Sequence, residues 1–295
     1  MDRTRSLLGW YRKSARSFPW RIDKPDPYVV LVSETMLQQT QTSRVAEALP
    51  QFIERFPTIQ ALAEASNGDV IRQWKGLGYN SRALRLRDAA KTVATEHDGI
   101  LPRSLALLQS LPGVGPYTSA AILCFAFNKN VVVLDVNVRR VYSRLMKRQT
   151  TTADVEADNT LIPFAESIIP ARSASEWHHA VMDLGSTICT ARSPACTRCP
   201  LAQMCPSHAV LVDVVRTKKR EPEFRGDPRR LWRGRFIEVL RQCSPGTELQ
   251  HSVLFRRAAG SPLHVDEQEW YTATLTQLQI DGFIQLTPKG VRLAD

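Results

Sequence analysis

The stretch Leu111-Pro112-Gly113-Val114-Gly115-Pro116-Tyr117-Thr118 restricts this chain more than any other. Pro116 suits the first position of a helix, where its missing N–H has no partner to lose, and Gly113 and Gly115 allow positive φ and close backbone approach. The stretch is therefore a turn between two helices: one over Arg103–Ser110, opened by Pro102, and one entering the apolar run Ser119–Phe127. The N–H groups of such a turn point outward from a helix N-terminus, a geometry that grips a phosphate. Ordinary helix connections use the same residues. What strengthens the phosphate reading lies downstream: the buried aspartate expected in Leu134-Asp135-Val136-Asn137-Val138, and a cluster of cysteines.

The cluster is Cys189-x6-Cys196-x2-Cys199-x5-Cys205, with Pro194 and Pro200 shaping the loop. Four thiolates at short spacing close a tetrahedral zinc site or hold a [4Fe–4S] cluster. Gaps of six and five residues do not make two Cys-x2-Cys knuckles, so the spacing favours iron–sulfur. Cys124, in an apolar helix, is expected to be a small core residue, and Cys243 has no identifiable partner. Thiols clustered in this way point to metal rather than disulfides in a reducing compartment.

With 295 residues and 43% hydrophobic content the chain can bury a sizeable core in two or three modules. No run approaches the roughly eighteen apolar residues of a spanning helix, and Met1-Asp2-Arg3-Thr4-Arg5 leads into no apolar signal core. An intracellular protein without membrane association is expected, cytoplasmic and near the nucleoid if bacterial. The net charge of +10 suits a polyanionic partner.

Helical spacing covers residues 6–16, 29–45, 46–56, 58–65, 68–75, 81–96, 138–147, 155–169 and 173–187, so the first 205 residues are expected to be almost wholly helical, with Asn130–Leu134 as a short strand. Glu34, Gln38 and Gln41 fall at i, i+4 and i+7, on one helix face. Glu34 beside Met36 and Leu37 would carry a raised pKa if partly buried, as a general acid requires; a solvent-facing polar stripe is the ordinary alternative. Gly76-Leu77-Gly78-Tyr79-Asn80 is a tight turn carrying an aromatic, followed by a helix with Arg82, Arg85, Arg87 and Lys91. A tyrosine on a rigid turn beside arginines can wedge into a base stack, or pack in a core. The helix 138–147 is basic and amphipathic, with Arg139, Arg140 and Arg144.

Residues 216–235 hold Arg216, Lys218, Lys219, Arg220, Arg225, Arg229, Arg230, Arg233 and Arg235 against Glu221, Glu223 and Asp227. This composition indicates a linker feeding a basic helix, 228–242. Two further helices near 250–257 and 267–281 precede Gly282 to Leu293, which alternates apolar and polar residues about Pro288-Lys289-Gly290, as a small hairpin does. Three helices and a hairpin is the order of a winged helix.

Together these residues resemble the helix–hairpin–helix base-excision DNA glycosylases, and within them the MutY-type adenine glycosylases. The resemblance covers residues 6–206. It rests on Phe18-Pro19-Trp20-Arg21, Ser33-Glu34-Thr35-Met36-Leu37-Gln38-Gln39-Thr40-Gln41, Trp74-Lys75-Gly76-Leu77-Gly78-Tyr79, Leu111 to Gly115, Leu134 to Val138 and the four cysteines. The Glu-x-Met-Leu-Gln-Gln-Thr string separates the MutY branch from its endonuclease III relatives.

The resemblance implies a mainly α fold of two helical domains: 1–20 with 135–209, carrying the [4Fe–4S] loop, and a six-helix barrel, 21–134. A basic linker, 210–227, and a winged-helix-like α+β module, 228–295, would follow. It implies that Glu34 protonates the leaving adenine at N7 and that Asp135 stabilises the sugar cation. Tyr117 and Arg21 would line the base pocket, and Gln38, Gln39, Thr40, Tyr79 and Asn137 would serve base and opposite-base recognition. Gly113, Val114 and Gly115 would hold a DNA phosphate, with a monovalent cation at the hairpin. Cys189, Cys196, Cys199 and Cys205 would bind the cluster, whose loop would bring Arg192 and Arg198 to the DNA backbone.

Bifunctional relatives carry a lysine where Tyr117 stands, so a monofunctional enzyme is expected, acting as a monomer on double-stranded DNA with adenine opposite 8-oxoguanine or guanine. Tyr117 also occurs in thymine–guanine mismatch glycosylases, which keeps removal of thymine or uracil opposite guanine as an alternative; a non-catalytic DNA-binding protein is another. Val136 stands where many MutY proteins have glycine, a bulk that would reshape the surroundings of Asp135. Residues 228–295 are too short and too helical for the usual 8-oxoguanine-reading domain, so that module is expected to bind DNA or another protein.

Overall fold

The computed structural model describes residues 2–149, 151, 155–211 and 221–294. They form two compact units. Met1–Leu31, Arg103–Gln109 and Val114–Lys218 make the first, and Val32–Pro102, Ser110–Gly113 and Lys219–Asp295 make the second. Among the described residues no helix is long and apolar enough to cross a membrane.

In the first unit the helix Arg3–Ser14, capped by Asp2, packs against Ala174–Thr187. The latter also packs on Val136–Met146, where Gly185 permits close approach: a Cβ there would lie 2.8 Å from the Cβ of Asn137. Trp177 and Tyr142 are fully buried at this crossing, and the indole N–H donates to the Tyr142 hydroxyl at 2.9 Å. The helix–turn–helix expected around Pro112–Pro116 is present as Leu105–Gln109 and Pro116–Phe125, with Pro116 in the first turn and Gly113 at φ +75°. A Cβ on Gly113 would stand 2.9 Å from that of Arg85, so both sterics and backbone conformation call for glycine.

In the second unit Ile59–Glu64 and Asn67–Gln73 begin at Thr58 and Ser66, whose hydroxyls accept the N–H of Ala61 and Asp69. Phe52, Phe56 and Trp74 form an edge-to-face aromatic core beneath them. The same unit holds the helices Arg229–Arg241, His251–Ala259 and Gln268–Ile280 and the antiparallel pair Ile284–Thr287 with Gly290–Leu293, the order expected of a winged helix. Phe224 stacks on Trp270 with centroids 3.7 Å apart, and Trp232, Phe236, Phe255 and Tyr271 complete that core. Each such ring pair adds about 0.5–1.5 kcal/mol beyond its area.

Three expectations are corrected. The helix expected over 29–45 stops at Leu37 and restarts at Thr42, with Gln39 at φ +57°, so Glu34, Gln38 and Gln41 do not share a helix face. Residues 130–134 pair with no strand: the Val133 N–H donates instead to Nε2 of His178 at 3.0 Å. The helices read as basic, 81–96 and 138–147, turn part of their charge inward, since Arg82, Arg140 and Arg144 are all buried. In the C-terminal stretch, Arg225, Arg230, Arg233 and Arg235, four of its five described basic residues, pair with Glu267, Glu221, Asp281 and Asp227; Arg216 to Arg220 lie outside the described residues.

Candidate active site

Glu34 sits near the C-terminal end of the helix Pro27–Leu37 and is only 5% exposed, with Ser33, Thr35 and Met36 buried beside it. The last carbonyls of a helix have no intrahelical donor, and a cation there is favoured by the helix dipole. Arg82 supplies both. Its Nη1 donates to the carbonyls of Thr35 (2.6 Å) and Met36 (2.9 Å), and its Nη2 to the Thr40 hydroxyl (2.9 Å) and the carbonyls of Leu77 (3.0 Å) and Gly78 (3.1 Å). The Thr40 hydroxyl in turn donates to the Leu77 carbonyl at 3.0 Å. One buried guanidinium thus joins the end of the Glu34 helix, the Gln38–Thr40 turn and the Gly76–Asn80 turn. Burial pushes its pKa down to about 10, partly offset by Tyr79, which leaves it cationic at neutral pH. On the turn it supports, Tyr79 is 53% exposed at φ +44°, directly after Gly78, and Gly76 and Gly78 are both also at positive φ. Gln39 is exposed and Gln38 half-buried.

Asp135 caps the helix Val136–Met146. Its Oδ1 accepts the Val138 N–H at 2.6 Å and its Oδ2 accepts from Asn137 Nδ2 at 3.0 Å. Both oxygens are held, so the carboxylate is fixed in orientation. Asn137 thereby acts on Asp135, and its own Oδ1 accepts from Arg140, which also donates to the carbonyls of Gly185 (2.6 Å) and Cys189 (2.9 Å). Val136 is 73% exposed, so its side chain points to solvent and does not fill the surroundings of the carboxylate. The preceding loop is fixed by His178, whose Nδ1–H donates to the Ala174 carbonyl while Nε2 accepts from Val133; burial pushes its pKa down to about 4, which keeps the ring neutral as that pattern needs.

Tyr117 lines a cavity of about 360 Å³ with Gln109, Leu134, Arg139 and Glu166, adjoining the Asp135 loop through Leu134. Arg21 lies elsewhere in the same unit: its Nη1 is 3.0 Å from both oxygens of buried Asp183, which also accepts two bonds from the Arg16 guanidinium and one from the Arg16 backbone N–H. Close to Arg21, His179 stacks on Phe125 at 4.3 Å and is held neutral, its pKa pushed to about 3 by burial and then by Arg21.

Cys189, Cys196, Cys199 and Cys205 line one cavity with Arg144, and none forms a disulfide. Burial, reinforced by the neighbouring thiols, pushes Cys199 up to about 11 and Cys205 upward as well, the latter partly offset by Arg144. Four thiols lining one cavity are the donor set that an iron–sulfur cube takes at its corners. Arg144 reaches this cage, its Nη1 3.2 Å from the Cys189 sulfur and 2.9 Å from the Thr190 carbonyl. The helix that Asp135 caps therefore carries, at successive turns, the arginines that hold the cysteine loop. Arg192 and Arg198 of that loop are exposed.

A helix–hairpin–helix followed by a four-thiol loop defines a class. Residues 32–163 match the HhH-GPD superfamily base excision DNA repair proteins, and residues 189–205 match the iron–sulfur binding domain of endonuclease III. The fold superposes on a thermostable thymine-DNA glycosylase with a TM-score of 0.64 at 28% identity, covering 69% of this chain and 93% of that one. An endonuclease III–DNA complex gives 0.58 at 22% identity, covering 68% and 90%, a likeness of fold. Among curated proteins, an adenine DNA glycosylase of Mycobacterium tuberculosis is 41% identical over 80% of this chain and 77% of its own length, and one of Mycolicibacterium smegmatis is 37% identical over 96% and 93%. The chain belongs to the adenine DNA glycosylase family, and its cofactor is the [4Fe–4S] cluster that the four cysteines cage.

Sequence reasoning missed Arg82, Asp183, His178 and His179. Asp183 had a signal, since a carboxylate set between Met182 and Leu184 in the apolar half of the helix Ala174–Thr187 must find a cationic partner. Arg82 had none: in a helix rich in arginines nothing marks the one that turns inward.

Proposed function

We propose that this chain is a monofunctional glycosylase that hydrolyses the N-glycosidic bond of adenine opposite 8-oxoguanine or guanine in duplex DNA. The target nucleotide is flipped out of the helix. Glu34 gives a proton to N7 of adenine as the bond from C1′ to N9 breaks, the bonding pair leaving with the base. The oxocarbenium-like sugar is stabilised by Asp135, and water adds to C1′ while its proton passes to the Glu34 carboxylate. The setting of Asp135 carries this reading: both carboxylate oxygens are held by hydrogen bonds at a helix N-terminus, which fixes the group in one orientation as a partner for a cation.

The amides of Gly113, Val114 and Gly115 hold a backbone phosphate, with a monovalent cation completing the hairpin. Gln38, Gln39, Thr40 and Tyr79 face the opposite base, with Tyr79 entering the stack. Tyr117 and Arg21 serve the base pocket, where Arg21 acts through the Asp183 network that fixes it. The cluster holds the loop of Arg192 and Arg198 in shape for the DNA backbone. The enzyme works as a monomer, in the cytoplasm at the nucleoid in a bacterium.

Tyr117 favours a second reading, removal of thymine or uracil opposite guanine. Single-turnover base release from otherwise identical duplexes with A·8-oxoG, A·G, A·C, T·G and U·G decides between them. Adenine release, fastest opposite 8-oxoguanine or guanine, is the expected result; release of thymine or uracil alone would replace it.

The same reactions test the single function. Tyr117 has no amine for a Schiff base with the sugar, so borohydride is expected to trap no enzyme–DNA adduct. An adduct that disappears with Tyr117→Phe would refute the monofunctional assignment.

A further inference from the structure

Arg241 has no part in the chemistry above, yet it is committed to the neighbourhood of Tyr79. It ends the helix Arg229–Arg241 with a side chain 7% exposed. Its Nε donates to the Ile71 carbonyl at 2.8 Å, its Nη1 to Glu238 at 3.0 Å, and its Nη2 to Oδ1 of Asn80 at 2.6 Å. Asn80 stands at the N-cap position of Ser81–Glu96, but its side chain caps nothing there and is turned to Arg241 instead. A second tie lies nearby, where Asn67 Nδ2 donates to the Gly282 carbonyl at 2.9 Å. At the other end of the Arg229–Arg241 helix Arg230 pairs with Glu221 at 2.6 Å, and the Tyr79 phenol lies close enough to act on its charge.

Tyr79 needs such support. A non-glycine residue in the left-handed region is strained, and persists there only where its surroundings fix it. Arg82 holds the carbonyls of Leu77 and Gly78 on one side of Tyr79, and Arg241 holds Asn80 on the other. Among the described residues of the C-terminal stretch Arg225, Arg230, Arg233 and Arg235 meanwhile pair with carboxylates, whereas Arg241 reaches backbone and side-chain acceptors at Ile71 and Asn80.

We propose that the C-terminal module braces the Gly76–Asn80 turn, and that Arg241 is a positioning residue for opposite-base discrimination, acting through Asn80 to hold Tyr79 in one orientation. The module then shapes selectivity without touching the base. This rests on the reading that Tyr79 enters the stack, and the test separates the two.

Full-length Arg241→Met, Arg241→Lys, Asn80→Ala, Tyr79→Ala and the Arg241→Met/Tyr79→Ala double variant are compared in single-turnover base release on A·8-oxoG, A·G and A·C. In parallel, the fluorescence of 2-aminopurine placed beside the opposite base is read on binding. Arg241→Met and Asn80→Ala are each expected to narrow the rate ratio between A·8-oxoG and A·C by about tenfold and to diminish the 2-aminopurine response. Tyr79→Ala does the same, the double variant adds no further loss, and Arg241→Lys restores part of the ratio. If Tyr79→Ala changes both readouts while Arg241→Met and Asn80→Ala change neither, the brace is wrong and the role of Tyr79 stands. If Tyr79→Ala changes neither, the reading of Tyr79 is wrong and the proposal falls with it. A fall in all rates at constant ratio and constant 2-aminopurine response would make Arg241 merely structural and overturn the proposal. Should Arg241→Met not fold, Asn80→Ala decides alone, since it removes one acceptor and leaves the bonds to Ile71 and Glu238.

Discussion

Glu34→Gln is expected to lower single-turnover adenine release by about 10²–10⁴-fold, the range that a positioned general acid contributes, while leaving duplex affinity within about threefold. The argument is one of shape against charge. A carboxamide fills the same volume at this buried position, and the helix end that carries it is held by Arg82 through backbone carbonyls, which the substitution does not touch. What is lost is the transferable proton. Base release quantified after alkaline cleavage, beside a gel-shift titration on the same mispaired duplex, separates chemistry from binding. A variant that releases base within about threefold of wild type would take the general acid away from Glu34. One that loses binding as much as rate would make it a structural residue.

Arg82→Met should cost about 3 kcal/mol or more of unfolding free energy, the loss expected when a buried charged donor is removed and its acceptors are left unsatisfied. The single guanidinium serves the carbonyls of Thr35, Met36, Leu77 and Gly78 and the Thr40 hydroxyl, and stands over the rings of Trp74 and Tyr79 at 5.3 and 5.8 Å. Methionine keeps much of the apolar stem and none of the donors. Urea unfolding gives the stability change. The same variant is expected to slow base release well beyond what stability explains, because the Glu34 helix end, the Gln38–Thr40 turn and the Tyr79 turn lose their common tie. Arg82→Lys recovers only part, since one ammonium cannot reach acceptors on two segments as the planar fork does. Stability within about 1 kcal/mol of wild type for Arg82→Met would show that these carbonyls find other donors.

Much of this protein was legible in its residues, for reasons that can be named. The Pro112–Pro116 turn was readable because glycine and proline report backbone conformation directly. The iron–sulfur loop was readable because four ligands must be supplied by a short stretch, so their spacing is itself the evidence. Asp135, expected to be buried, is half-buried, and its place as a helix cap with hydrogen bonds from Val138 and Asn137 is a finding of the tertiary structure. By contrast, the continuation of the Glu34 helix through Gln38 to Gln41 was a false extension. Helical periodicity describes which side chains share a face if the helix continues; it does not say whether a distant donor will take the terminal carbonyls.

What the sequence by itself determined was therefore local or stoichiometric: helical content, the hairpin, the four-thiol loop, the presence of Glu34 and Asp135, and the order of the C-terminal module. Tertiary structure decided which arginines are inside. Arg82, Arg140, Arg144 and Arg241 look in sequence like any cation on a basic helix, yet each is spent on backbone carbonyls of a segment far away in the chain. The physical reason is that burial of a guanidinium depends on acceptors gathered from several segments, and no period or motif in its own helix records where those acceptors will be.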